Sequence, residues 1–156
     1  MPMRLRTIPV LAGFIVLIAL AGCGHTPAKE SAPPLASRAA DHALTMVGKP
    51  YRYGGNTPKG FDCSGLVQYS YARAGVDLPR STESLWRNSS SIATRNLQPG
   101  DLLFFNQEGK RSSHVAIYIG RERFVHAPST GKQVSVDKLD SSYWSRHLES
   151  ARRPIF

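Results

Sequence analysis

The chain has 156 residues, 41% of them hydrophobic and 20% charged, which is enough for one well-buried core and short for two. That balance excludes a wholly disordered protein, and no period of roughly 20–50 residues repeats, which excludes solenoids and propellers. The formal charge is +9, but no Arg/Lys cluster interleaves with aromatics. The charge therefore reads as a solvated surface or as affinity for an anionic envelope, and no nucleic-acid partner is expected.

In chain order, Arg4 and Arg6 precede the uncharged run Ile8 to Leu20. That run is too short for the ~20 residues a membrane-spanning helix needs. A basic head, a short apolar middle and small residues after it read as a secretory signal. Leu20-Ala21-Gly22-Cys23 follows and resembles the lipobox of bacterial lipoproteins. The resemblance implies cleavage before Cys23, a diacylglyceryl group on its sulfur and acylation of its new amine. Several acyl chains anchor stably where one binds only marginally. Gly24 in place of Asp implies, by the same resemblance, an outer-membrane location facing the periplasm. Gly24 to Ala36 carries Pro27, Pro33 and Pro34 and no aromatic. It reads as a linker able to extend roughly 40 Å at ~3.1 Å per residue. The expected organisation is a signal peptide over 1–22, a lipidated cysteine and flexible linker over 23–36, and one domain over 37–156.

Within that domain, Ala39, Ala40, Ala43, Leu44 and Val47 fall on one helical face, with Ser37 as a cap and Gly48 as a stop. Pro50 and Gly54-Gly55 break the chain into a loop. A second helix opens at Asp62, a good N-cap, and buries Leu66, Val67, Ser70, Tyr71 and Ala74 before Gly75. A short third helix spans Ser81 to about Arg87. Pro99-Gly100-Asp101 is a turn before a short apolar strand, Leu102 to Phe105. His114 to Ile119 alternates, with His114, Ala116 and Tyr118 on one side and Val115, Ile117 and Ile119 on the other. Phe124 to His126 and Val134 to Val136 are further short strands. Helices first and strands later indicate an α+β fold with a mainly antiparallel sheet.

Cys63 lies in the first turn of the second helix, between Gly60 and Gly65. Free N–H groups and the helix dipole there favour a thiolate, which is a strong nucleophile. The bland alternative is a small buried residue. Two features weigh against it: the loop-to-helix position, and an unpaired thiol in a compartment that oxidises thiols. Cys23 is consumed by lipidation, so a disulfide between the two cysteines is rejected. His25, His42 and His147 read as surface or packing residues. A three-residue loop over Gly120 to Glu122 sets Ile119 opposite Arg123 and Ala116 opposite His126, so that His114 and His126 are diagonal neighbours on one face. A slip of one residue separates them, and two unrelated strand histidines would look the same at this level.

Asp62-Cys63-Ser64-Gly65-Leu66-Val67, Pro99-Gly100-Asp101-Leu102-Leu103-Phe104-Phe105, Ser113-His114-Val115-Ala116-Ile117-Tyr118-Ile119-Gly120 and Phe124-Val125-His126-Ala127 resemble the ordered motifs of the NlpC/P60 family. Pro50-Tyr51-Arg52-Tyr53-Gly54-Gly55 and Leu78-Pro79-Arg80 match as well, and the likeness runs from about Ala43 to Arg153. The resemblance implies a papain-like fold and hydrolysis of peptide bonds in the stems or cross-links of peptidoglycan. It makes Cys63 the nucleophile, His114 the general base and His126 the residue that orients it. Tyr51 would help hold the oxyanion, with a packed loop aromatic as the alternative. Asp62 and Ser64 would help bind substrate, with a plain helix cap as the alternative for Asp62. Arg80 takes a structural or rim role.

No cofactor is expected. The expected partners are peptidoglycan and, through the lipid anchor, a membrane; the sequence names no regulatory envelope protein. A zinc site built from Cys63, His114 and His126 is the first rival, but the metal would consume the nucleophile and no carboxylate follows either histidine at a metalloprotease spacing. A lipoprotein that binds peptidoglycan without cutting it is the second.

Overall fold

The computed structural model describes residues 34–156 apart from Glu108. The expected signal segment, Cys23 and the linker up to residue 33 lie outside the described residues.

The first helix, α1 (Leu35–Leu44), has Pro34 as N-cap, three residues before the expected domain start. Proline at a helix start loses no hydrogen bond, because the first N–H groups have no partner within the helix. Ala39, Ala40 and Ala43 are buried, but Leu44 and Val47 are exposed, because the helix ends at Leu44 and the chain turns away before Gly48. A small hairpin follows, β1 (Asn56–Thr57) with β2 (Gly60–Phe61). α2 (Cys63–Ala74) is capped by Asp62 and closed by Gly75 in the left-handed region at φ +97°, as its sequence indicates. Its buried face is Leu66, Val67, Ser70, Tyr71 and Ala74, with Ser64 and Gly65 at its head. α3 (Thr82–Arg87) starts on the Ser81 cap.

Six strands form an antiparallel sheet: β3 (Ser89–Ile92), β4 (Leu102–Gln107), β5 (Lys110–Gly120), β6 (Arg123–His126), β7 (Ser135–Lys138) and β8 (Leu148–Pro154). Their order is β3-β8-β4-β5-β6-β7. The α+β expectation holds, with additions. The strand β3 and the helix α4 (Ser142–His147) were not legible, nor was β8, which nonetheless sits inside the sheet between β3 and β4. β8 reads Leu-Glu-Ser-Ala-Arg-Arg-Pro and lacks apolar alternation. Its arginines are satisfied by tertiary partners instead. Arg153 Nε donates to Asp101 at 2.8 Å, and Arg152 Nε donates to Ser89 Oγ at 3.0 Å. The Arg152 guanidinium also lies 4.4 Å from the Trp86 ring centre.

The hairpin of β5 and β6 pairs Ile117 with Val125 and Tyr118 with Phe124, a register that extends to Ala116 opposite His126 as expected. Its tip differs: Gly120, not Ile119, opposes Arg123. Arg121 and Glu122, both at φ +52°, make a two-residue turn, and Gly120 has φ +90°. Positive φ at both central positions matches the twist of the flanking strands, and Ile119 becomes the extra residue of a bulge.

Alternation along the strands gives the sheet two apolar faces. Phe104, Val115, Ile117 and Val125 pack under the helices with Leu66, Val67 and Tyr71. Leu103, Phe105, Ala116 and Phe124 pack on the other face with Trp144 of α4. His114 and His126 belong to this second face, both in ring contact with Trp144.

Candidate active site

The head of α2 is built around Asp62. Its Oδ1 accepts the Gly65 N–H at 2.7 Å, the capping bond of the helix. Its Oδ2 accepts the Gly54 N–H at 2.9 Å and Arg80 Nη2 at 2.7 Å. Arg80 Nη1 donates to Ser64 Oγ at 2.8 Å. Asp62 and Ser64 are thus tied into the scaffold, and Arg80 is the clamp. Gly65 is required by close approach: a Cβ there would lie 2.0 Å from the Gly55 carbonyl oxygen. This contact seats the loop of residues 50–55, and with it Tyr51, beside the helix head.

Cys63 is a free, half-buried thiol in the first turn. Thr82 Oγ1 lies 3.8 Å from its sulfur. Burial pushes the thiol up from its ordinary range, the Val115 backbone, Thr82 and the Ser64 backbone pull it down, and Asp62 adds to the rise; the net direction is up. Desolvation of the anion thus opposes the thiolate that the donors at the helix head favour. His114 is 2% exposed. Burial, and then the neighbouring His126, push its imidazolium down to about 3. Burial thus disfavours both the Cys63 anion and the His114 cation.

Behind His114 stands a relay. His114 Nε2 lies 2.8 Å from His126 Nδ1, and His126 Nε2 lies 2.8 Å from Asp137 Oδ2. With Nε2 engaged, His114 has Nδ1 left to exchange a proton. Burial lowers the basicity of His126, while the Asp137 carboxylate opposes that shift. Trp144 walls both rings, stacked on His114 at 5.9 Å and edge-on to His126 at 5.0 Å.

Two open hollows meet at Cys63. One, of about 350 Å³, is lined by Tyr51, Cys63, His114, Ser113 and Ser129. The other, of about 400 Å³, is lined by Tyr51, Cys63, Asp62, Ser64 and Arg80. Burial, then the proximity of Cys63, Asp62 and Tyr53, push the Tyr51 phenol up, so it stays a hydrogen-bond donor. The structure gathers Cys63, His114 and Tyr51 at one groove, puts Asp62 and Ser64 in the adjoining hollow, and sets His126 behind His114. His147 instead ends α4, its Nδ1 2.7 Å from the Tyr143 carbonyl.

Among the described residues no three His, Cys, Asp or Glu side chains gather as metal ligands would. Three of the four ring nitrogens of His114 and His126 are engaged in the relay. Thr82 and Asp137 were missed from the sequence. Thr82 gives no local signal. Asp137 gave one: alternation about Val134 and Val136 puts residues 135 and 137 on the opposite face, where His126 also points.

The chain matches the model of the NlpC/P60 family over residues 48–153. It is 38% identical over 120 residues to murein DD-endopeptidase MepH of Escherichia coli, covering 74% of this chain and 44% of that protein. It is 42% identical over 120 residues to the murein DD-endopeptidase MepS/murein LD-carboxypeptidase of the same species, covering 76% and 63%. The chain spans less than two thirds of the length of these relatives. Among solved structures, the NlpC/p60 domain of the peptidoglycan hydrolase SagA superimposes with a TM-score of 0.66 at 31% identity, covering 76% of this chain and 97% of that domain. A cysteine at a helix head, a histidine on the facing strand and a second histidine behind it thus sit on a papain-like scaffold, and the chain belongs to the NlpC/P60 family.

Proposed function

We propose that this protein is a cysteine peptidase that cuts peptide bonds in peptidoglycan stems or cross-links. The observation that carries the reading is the shared groove: Cys63 and His114 line one open hollow, and His114 is held from behind by His126 at 2.8 Å. The family membership and the murein endopeptidases among the relatives support the substrate class.

His114 Nδ1 takes the thiol proton as the sulfur attacks the scissile carbonyl. The Cys63 and Tyr51 donors stabilise the tetrahedral oxyanion, the backbone N–H of the nucleophile and the phenol O–H supplying the hydrogen bonds. His114 then protonates the leaving amine, and the thioester forms. A water deprotonated by His114 attacks the thioester and restores the thiol. The Asp62–Arg80–Ser64 cluster forms the rim of the adjoining hollow, where the substrate peptide lies.

Purified protein on intact sacculi, with the products separated and weighed, tests this reading. Wild type releases new muropeptides and Cys63→Ala releases none. Wild type that binds sacculi without releasing any product overturns it. We also propose that the chain is exported and tethered at the outer membrane through lipidated Cys23, a reading supported by the lipobox-like Leu20-Ala21-Gly22-Cys23. Labelled palmitate enters the wild type and not Cys23→Ser; equal labelling of both overturns it.

A further inference from the structure

Asp137 stands on β7 opposite Phe124, on the sheet face that carries both imidazoles. Its side chain is 43% exposed, while His126 beside it is 1% exposed. An ionised carboxylate only accepts hydrogen bonds, so the 2.8 Å contact requires the proton of His126 to sit on Nε2. A neutral His126 then has a bare Nδ1. The 2.8 Å contact from His114 Nε2 must in turn be a donation, which leaves His114 Nδ1 without a proton. Each bond fixes the next, and the chain of inference starts at Asp137.

We propose that Asp137 is a positioning residue: it sets the tautomers of both histidines so that His114 presents a bare Nδ1 to Cys63. This rests on the peptidase reading and deepens it.

No other group around His126 does this. Ser135 Oγ is 3.5 Å from Nε2, too long to compete. Lys132, on the loop before β7, disfavours a positive imidazole but accepts no hydrogen bond. Phe124 and Trp144 contact the ring edge-on and offer it no acceptor. Asp137 and Trp144 also line a hollow of about 540 Å³ that shares Gln107, Pro128 and Ser129 with the Cys63 groove, so the far end of the relay opens to solvent beside the site.

Asp137→Asn is the discriminating variant. An asparagine amide can donate to Nε2, which moves the His126 proton to Nδ1 and reverses both bonds; His114 is then protonated on the nitrogen that must be bare. The same reversal in a serine-protease triad costs ~10⁴-fold in kcat, and here we expect a loss of at least ~10²-fold with KM changed less than about threefold. Asp137→Glu, which keeps the acceptor, retains activity within about tenfold. Asp137→Ala, which frees the tautomer rather than reversing it, falls between the two. The second readout does not depend on turnover: ¹⁵N-detected histidine spectra of Cys63→Ala show His114 protonated on Nε2, and the added Asp137→Asn change moves that proton to Nδ1. An Asp137→Asn enzyme with wild-type kcat, or spectra that keep His114 protonated on Nε2, overturns the proposal. Wild type without muropeptide release defeats the peptidase reading instead, while the spectra still judge Asp137.

Discussion

Replacing Asp62 separates its scaffold role from any part in binding substrate. Asp62→Ala removes the capping bond to Gly65, worth about 1 kcal/mol. It also removes the ion pair with Arg80, whose two side chains are 34% and 14% exposed, so solvent screening limits that loss to about 1 kcal/mol. The Gly54 N–H is exposed and turns to water at little cost. The sum is about 2 kcal/mol, or roughly 8 °C in Tm for a domain of this size. Asp62→Asn keeps the cap, because Asn and Asp are equally good there, but its amide NH2 replaces the oxygen that accepts from Arg80 and the exposed Gly54 N–H, so it should fall by about 1 kcal/mol, less than the alanine variant. Urea titration of both variants reads this directly through the midpoint at an unchanged slope. If both variants lose stability equally, the cap is not what holds the helix head. If neither moves, the reasoning about the whole cluster is refuted.

Three further outcomes follow from the same geometry. Because burial raises the Cys63 thiol, its alkylation by iodoacetamide should keep accelerating through pH 9; a plateau near neutral pH would contradict that rise. His114 is held near 3 in the folded chain against about 6.5 unfolded, so below pH 6.5 the unfolded chain binds a proton that the folded one refuses. Stability is therefore complete above that pH and declines as pH falls toward 3, by about 1.4 kcal/mol per pH unit for this group. Urea midpoints at pH 7, 6, 5 and 4 measure the slope, and His114→Gln should flatten it. Gly65→Ala would set a Cβ 2.0 Å from the Gly55 oxygen. The backbone shift should lower stability by about 1–3 kcal/mol and disturb the seat of Tyr51. A variant with unchanged urea midpoint and muropeptide release would show that the loop is not held by this contact.

The local sequence determined the elements whose signals are short-range. Asp62, the apolar spacing to Ala74 and Gly75 specify α2 from end to end, because capping and helical periodicity act within a few residues. Alternation over His114 to Tyr118 and Phe124 to His126 set which face each imidazole takes, because a strand's side chains have a fixed period of two; the bulged turn of the fold fixed the register that joins them. The motif order around Cys63, His114 and His126 carried the family.

Only the folded chain decided the rest. β8 became an interior strand although Arg152 and Arg153 disguise it, since Trp86, Ser89 and Asp101 satisfy those side chains from distant parts of the sequence. α4 placed Trp144 over the histidines, and Asp137 closed the relay at 2.8 Å. The opposition to a thiolate also came from the fold: a helix head favours the anion, but the burial that disfavours it depends on everything packed around the sulfur. Periodicity and caps are written in neighbouring residues, whereas desolvation and long-range pairing exist only once separate segments share the same space.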